Sequence, residues 1–351
     1  MTRATADVSR SSRVVTLRVA AVIEETADAR TLVFDVPAAA AERFAFRPGQ
    51  FLTLRIPSER PEPVARCYSL ANSPFTGEPP QVTVKRTPGG YGSNWLCDNI
   101  AVGDTLDVLP PQGAFTPASL DADLLLWAAG SGITPVMSIL RSALARGTGR
   151  VVLFYANRDQ DSVIFADALR DLVARYPGRI TVAHWLESLQ GLPSTAQLAA
   201  FAAPYPSFES FVCGPGPFMS AVTEALSGAG WPRERVTTEV FVSLSGDPFT
   251  APEPLDPADS ADAARVEVEL DGTVHALSWP RSRTLVDVML ADGLDVPYSC
   301  REGECGSCAC TVVDGEVTMP GSTILDQEDI DAGYTLACQA RPSTDRVRIR
   351  F

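Results

Sequence analysis

The chain has 351 residues, with 43 acidic against 29 basic side chains, a formal charge of −14 and a pI near 4.6. That length allows two or three domains with substantial cores. The acidic balance argues against a nucleic acid or an anionic membrane as partner, because both want a basic face, and it suits a docking partner with a basic patch.

The N-terminus, MTRATADVSRSSRVV, is polar and lacks the apolar run of a signal peptide, and no stretch approaches about eighteen consecutive apolar residues. A cytoplasmic location is therefore expected. Up to about residue 116, short strand-like runs (RVVTLRVAAVIEE, TLVFDVP, FLTLRIP, QVTVKRT, DTLDVLPP) are separated by Pro and Gly, the spacing of a barrel or sandwich. Within this segment RCYSLANSP, 66–74, offers Arg66 for a phosphate, Tyr68 for a ring system and Ser69 as a short hydroxyl. By itself the trio equally suits a solvent-facing strand edge. GGYGSNWLCDNI, 89–100, follows with flexible glycines, Ser93 as an expected cap and an amphipathic helix, which makes an anion-ready helix start.

From 122 to 242, apolar strands alternate with helical patterns, the signature of a parallel α/β sheet. In LLLWAAGSGITPVMSILRSALARG a buried strand ends in a Gly-rich turn and a helix begins, with Pro135 in its first turn and Gly147 at its C-cap. GSGITP thus lies where helix N–H groups and the dipole favour a phosphate, although Pro135 replaces the third glycine of the dinucleotide fingerprint. After the strand VVLFYA comes NRDQDS, where Arg158 suits a 2′-phosphate and Asp159 a ribose hydroxyl, so the coenzyme stays open between NADH and NADPH. ESFVCGPGPFM, 209–219, repeats the strand, turn and helix pattern and places Cys213 at a strand end on the same sheet edge. Cys213 equally suits a small buried hydrophobe.

SGDPFTAPEPLDPADSADAA, 245–264, is rich in Pro, Asp and Ala and reads as a linker. Beyond it, ARVEVELDGTVHALSW reads as a hairpin with its turn at Asp271-Gly272, and TLVDVMLADGL as a short helix. Cys300, Cys305 and Cys308 form C-x4-C-x2-C, and Cys338 lies thirty residues on, which is the plant-type 2Fe-2S arrangement. A zinc ribbon would show two C-x2-C pairs, and only one is present here. Gly303 and Gly306 let the loop turn its N–H groups towards the sulfurs. Cys310 is left over as a packed thiol. The acidic run Asp326, Glu328, Asp329 and Asp331 suits either a solvated face or a docking site.

FRPGQF (46–51), RCYS, GGYGS, GDTLDVLPPQGAF (103–115), GSGITP and CGPGPF resemble, in this order, the successive signatures of the ferredoxin-NADP reductase superfamily, over about residues 14–242. The last 87 residues resemble plant-type ferredoxins. The resemblance implies a multidomain chain: an antiparallel six-stranded flavin-binding β-barrel over 14–116, an α/β nucleotide-binding domain with a parallel sheet over 122–242, the linker, and a C-terminal β-grasp 2Fe-2S ferredoxin over 265–351. It implies FAD rather than FMN, held by Arg66, Tyr68, Ser69, Val84, Lys85, Gly90, Gly92 and Ser93. It implies a nicotinamide nucleotide, NADH before NADPH, at Gly130, Gly132, Thr134 and Arg158, with Cys213 and Gly214 beside the nicotinamide. Ser69, Cys213, Glu239 and Phe241 would then serve the hydride transfer, with Phe241 covering the flavin face and Glu239 orienting the carboxamide. Ordinary strand core is the other reading of Phe241.

Such a chain implies an NAD(P)H-dependent oxidoreductase that feeds single electrons through its cluster to a terminal Rieske oxygenase. Plant-type clusters lie near about −400 mV, low enough to reduce a Rieske centre. GGYGSNWLCDN and FVSLSGDPF are similar to the reductases of steroid-degrading oxygenases. A reductase for a ring-hydroxylating dioxygenase or for an epoxidase acting on phenylacetyl-CoA is the alternative within that class, and an electron carrier without nucleotide oxidation is the alternative outside it.

Overall fold

A computed structural model describes residues 10–58, 64–252, 254, 262–320, 322 and 324–351. They form two compact units, one of Thr16–Ile56 with Arg66–Phe241, the other of Val242–Phe351 with the described parts of residues 1–15 and 57–65. Residues 253 and 255–261 of the expected linker lie outside the described residues. Among the described residues no helix is long and apolar enough to cross a membrane.

The first unit holds two sheets. Strands β1 (Val15–Thr26), β2 (Ala29–Asp35), β3 (Phe51–Ile56), β4 (Val64–Ser69), β5 (Gln81–Lys85) and β6 (Thr105–Gln112) build a six-stranded sheet in the order β4-β3-β6-β1-β2-β5. An antiparallel bridge between Leu70 and Val82 joins the two ends of that order, so the sheet curls into a barrel. Inward residues such as Leu17, Leu32, Leu52, Leu54 and Val108 fill it. Helix α1 (Tyr91–Asn99) follows β5. Gly90 is its N-cap, while the expected cap, Ser93, lies one turn in and accepts a hydrogen bond from the Thr87 N–H at 3.0 Å. Ser93 therefore closes the loop before the helix instead of capping it.

The second sheet is built from β7 (Leu124–Ala129), α2 (Ile133–Arg146), β8 (Val151–Asn157), α3 (Ala166–Arg175), β9 (Ile180–Leu186), α4 (Glu187–Gln190), α5 (Thr195–Ala202), β10 (Glu209–Cys213), α6 (Gly216–Gly228) and β11 (Val236–Glu239). Its order, β11-β10-β7-β8-β9, is parallel throughout. All six residues of β7 are buried, as a central strand covered on both faces requires. The chain leaves β7 to one side for β8 and β9, then returns to the other side for β10, which puts the topological switch between β7 and β10. Gly147 ends α2 as expected. A Cβ there would sit 1.7 Å from the Leu120 carbonyl oxygen, so close backbone approach, not a left-handed φ, requires the glycine. Buried serines of α2 fasten it to the barrel: Ser138 Oγ donates to the Asn72 carbonyl at 2.7 Å, and Ser142 Oγ meets Ser73 Oγ at 2.9 Å.

The second unit contains β12 (Ala263–Leu270), β13 (Thr273–Pro280), α7 (Leu285–Ala291), β14 (Ala309–Asp314), β15 (Val317–Thr318), α8 (Gln327–Asp331), β16 (Tyr334–Leu336), β17 (Arg341–Pro342) and β18 (Arg346–Arg350). The five-stranded sheet β13-β12-β18-β14-β16 is mixed, with β12 and β18 parallel. Asp271 and Gly272 both have positive φ at the hairpin tip, which explains the Asp-Gly pair. Residues from both sides of the sequence join this unit. Arg13 is buried, pairs with Asp295 at 2.9 Å, donates to the Val296 carbonyl at 2.5 Å and lies over the Tyr298 ring. Glu302 accepts hydrogen bonds from Ser245 N at 2.9 Å, from Ser245 Oγ at 2.9 Å and from Gly246 N. The start of the expected linker is thus bonded to the cysteine loop.

Candidate functional site

The carboxyl edge of the parallel sheet carries three turns. After β7 the backbone enters a single 3-10 turn, Gly130–Gly132, with Gly130 at φ +53, and runs into α2. After β10 comes Cys213-Gly214. A Cβ on Gly132 would lie 2.2 Å from the Cys213 carbonyl oxygen, so the two turns meet backbone to backbone. Gly132 is thereby explained by packing. Thr134 is buried, and its hydroxyl donates to the Ser131 carbonyl at 3.0 Å, which ties down the helix start. Gly130, by contrast, faces an open cleft.

That cleft, of about 460 Å³, runs along the ends of β7, β8 and β9. Lys85, Gly130, Asn157, Arg158 and Glu187 supply its polar wall, and Trp185, Leu192, Pro193 and Phe218 an apolar one. The dimensions and the largely apolar lining with a few polar groups suit a nucleotide. Asp159 Oδ1 accepts from the Ser162 N–H at 2.9 Å and caps a short 3-10 turn. Asn157, Trp185, Glu187 and Phe218 were not singled out by sequence, although Asn157 and Trp185 end or nearly end parallel strands, the position that the fold assigns to ligands.

At the switch point Cys213 and Glu239 are register partners on β10 and β11. Cys213 is fully buried, and burial first, then the Glu239 charge, hold its thiol far above the ordinary range, so it is neutral. Glu239 Oε2 is buried without a hydrogen-bond partner, and burial pushes the carboxyl pKa up to about 8. Phe241, just beyond β11, is 48% exposed, which overturns the strand-core alternative.

On the barrel, β4 carries Arg66, Tyr68 and Ser69. Burial raises the Tyr68 phenol, with Arg66 pulling the other way. Ser69 Oγ is buried with no hydrogen-bond partner, an orphan that a polar ring edge would satisfy. A Cβ on Gly92 would approach Arg66 Cγ to 3.0 Å, so the glycine lets α1 begin against the arginine stem. Val84 is buried in the barrel, and its carbonyl accepts from the Cys97 thiol at 3.7 Å. The Gly90 N–H bonds the Thr87 carbonyl at 2.9 Å. This combination of an arginine, a buried orphan hydroxyl and a helix start fits a flavin dinucleotide.

In the ferredoxin unit the cysteine loop turns through Gly303 and Gly306, at φ +81 and +68. Cys300 neighbours Cys305 and Cys338, and Cys338 in turn neighbours Cys308, so the four thiols come together. Packed together, the thiols pull one another apart in acidity, Cys300 downwards, helped by the Glu302 and Glu304 N–H groups, and Cys305 and Cys338 upwards. The Glu302 N–H reaches Cys300 Sγ at 3.3 Å, and the Cys338 N–H reaches Cys308 Sγ at 3.4 Å. Convergent sulfurs supported by amides fit a cluster that is held as thiolates. Cys310 stays apart, buried with its sulfur 3.8 Å from the Thr335 carbonyl.

Three family models match: an oxidoreductase FAD-binding domain over 16–116, an oxidoreductase NAD-binding domain over 126–224 and a 2Fe-2S iron-sulfur cluster binding domain over 268–343. The chain is 66% identical over 349 residues, 99% of each chain, to the ferredoxin reductase component of 3-ketosteroid-9-alpha-monooxygenase of Rhodococcus rhodochrous. It is 55% identical to the component of the same name from Mycobacterium tuberculosis, covering all of this chain and 99% of that one. The chain belongs to this family of ferredoxin reductase components. Its cofactors are FAD, a nicotinamide nucleotide and a 2Fe-2S cluster, and it is an NAD(P)H-dependent oxidoreductase of an oxygenase system. Phthalate dioxygenase reductase shares the fold, with a TM-score of 0.56 at 23% identity over 96% of this chain and 98% of that one. The electron-transfer reading drawn from the motifs stands, and the family model over 268–343 supports the cluster reading drawn from cysteine spacing.

Proposed function

We propose that this reductase takes hydride from NADH onto FAD and passes electrons singly through its 2Fe-2S cluster to a Rieske-type oxygenase, 3-ketosteroid 9α-hydroxylase, in cytoplasmic steroid degradation. The observation that carries the steroid partner is the 66% identity over nearly the whole of both chains to a component of that name. The proposed modules are 14–116, 122–242 and 265–351, with 245–264 between the last two.

When bound, flavin accepts electrons as a pair and returns them one by one, and the cluster carries one at a time. The residues supply the rest. Arg66 and the amides at the start of α1 bind the pyrophosphate of FAD. Ser69 Oγ gives its unsatisfied hydrogen bond to the flavin. Gly130 lets the nucleotide approach the end of β7, and the wall of Trp185 and Phe218 shields the adenine from water. Glu239, neutral below about pH 8, donates a proton to hydrogen-bond the carboxamide of the nicotinamide, beside the neutral Cys213 thiol. Phe241 covers the flavin face until the nicotinamide arrives. Cys300, Cys305, Cys308 and Cys338 hold the iron.

Reconstitution tests the proposal. With the oxygenase component of 3-ketosteroid 9α-hydroxylase, 4-androstene-3,17-dione and oxygen, the protein should consume NADH in a steroid-dependent way and yield 9α-hydroxylated product. Reduction of flavin and cluster without hydroxylation would transfer the assignment to another oxygenase.

A further inference from the structure

Two cations face the nucleotide cleft, and both answer to one carboxylate outside it. Lys85 ends β5 of the barrel, and Arg158 follows β8 of the nucleotide module. Asp28 lies in the turn between β1 and β2. Its Oδ2 is 3.4 Å from Arg158 Nη2 and 3.8 Å from Lys85 Nζ.

The position of this carboxylate is built in. Thr26 Oγ1 donates to Asp28 Oδ1 at 2.8 Å, which leaves Oδ2 for the cations. The Asp28 carbonyl accepts from the Arg86 N–H at 2.8 Å, and the next residue, Ala29, pairs in register with Lys85. The side chain is 29% exposed, so solvent screens it only in part.

In parallel-sheet nucleotide sites the loop after the second strand meets the adenosine ribose, where an acidic side chain suits a free 2′-hydroxyl and an arginine suits a 2′-phosphate. Arg158 occupies that loop, which alone would argue for NADPH. The charges in and beside the cleft change the outcome. Lys85 and Arg158 are opposed by Asp28 and by Glu187, the first residue after β9. The sum is zero, whereas a 2′-phosphate needs a net positive site.

We infer that Asp28, a flavin-module residue, is the specificity-determining carboxylate that sets this reductase for NADH, by occupying Arg158 and Lys85 so that a 2′-phosphate finds no uncompensated cation. Asp28 acts through Arg158 and Lys85 and is a positioning residue. The inference rests on the NADH-oxidising reading above and names its coenzyme determinant. Rejection by compensated charge is specificity through an unfavourable alternative, which does not require a better contact to NADH.

The test uses the full-length protein with FAD and cluster bound, and ferricyanide as acceptor, with NADH and NADPH compared in wild type, Asp28→Asn, Arg158→Gln and the double variant. Asparagine keeps an oxygen for Thr26, and the flavin spectrum checks that FAD is retained. Asp28→Asn should raise the ratio of kcat/KM for NADPH over NADH by about tenfold, through KM for NADPH and not through kcat, with the gain fading as salt rises. Arg158→Gln added to Asp28→Asn should remove most of that gain. An unchanged ratio in Asp28→Asn with full FAD would overturn the inference, as would a gain that persists without Arg158. A wild type that prefers NADPH would also overturn it while leaving the reductase reading intact. Flavin that neither coenzyme reduces would defeat that reading itself, and the inference with it.

Discussion

Cys213 and Glu239 face each other in register at the carboxyl ends of two parallel strands, with a neutral thiol on one and on the other a carboxyl whose Oε2 is buried without a hydrogen-bond partner. Neither is poised as a nucleophile or as an anionic base. In the proposed function the pair would give the nicotinamide two uncharged polar neighbours.

The carboxyl makes the site pH-sensitive with a definite sign. Folding raises the Glu239 pKa from 4.5 to about 8, so the folded state holds this proton more tightly. The associated stability is complete below about pH 4.5 and is lost as pH rises through about 8. NADH-driven ferricyanide reduction should fall above pH 8, tending to about tenfold per unit. Glu239→Gln, which copies the neutral form, should flatten that limb. A wild-type limb retained in the variant would assign the titration elsewhere.

Gly132 tests the contact between the two turns. Gly132→Ala places a methyl against the Cys213 backbone, at a distance no rearrangement of a side chain can relieve. The KM for NADH should rise by an order of magnitude or more, with FAD still bound, because the barrel is untouched. Loss of FAD alongside the KM effect would show that the two sheets are disturbed together.

The cluster can be separated from the flavin. Cys305→Ser should abolish electron delivery to the oxygenase and leave most NADH-dependent ferricyanide reduction, since that acceptor draws from flavin. Equal loss of both activities would contradict the modular route.

Arg13 joins the ferredoxin unit from the far end of the sequence. Arg13→Ala removes its ion pair, its bond to the Val296 carbonyl and its contact with Tyr298, and should cost about 2 to 4 kcal/mol of that unit's stability. Thermal bleaching of the cluster should move several degrees lower while flavin release does not. A fragment of 265–351 alone should show the same loss.

What was legible in the sequence depended on how locally it was encoded. The cluster motif and the Asp271-Gly272 turn are spacing signals carried within a few residues, and α2 announces itself by its periodicity between Pro135 and Gly147. Ser93 was read as a cap because helix starts favour serine, yet its hydroxyl reaches back to Thr87. Asp326 and Asp329, read as part of a solvated face or a docking site, form a capping box on α8. The Arg13 and Glu302 contacts, the charge pairing at Asp28 and the apolar cleft wall all join residues far apart in the chain, and no local pattern encodes them.

The electron route is tested most directly by electron paramagnetic resonance of the full-length protein after anaerobic addition of NADH, with its FAD present or stripped. A reduced 2Fe-2S signal that appears with NADH only when FAD is bound is the expected result. An equal signal without FAD, or none with it, would contradict flavin as the link between coenzyme and cluster.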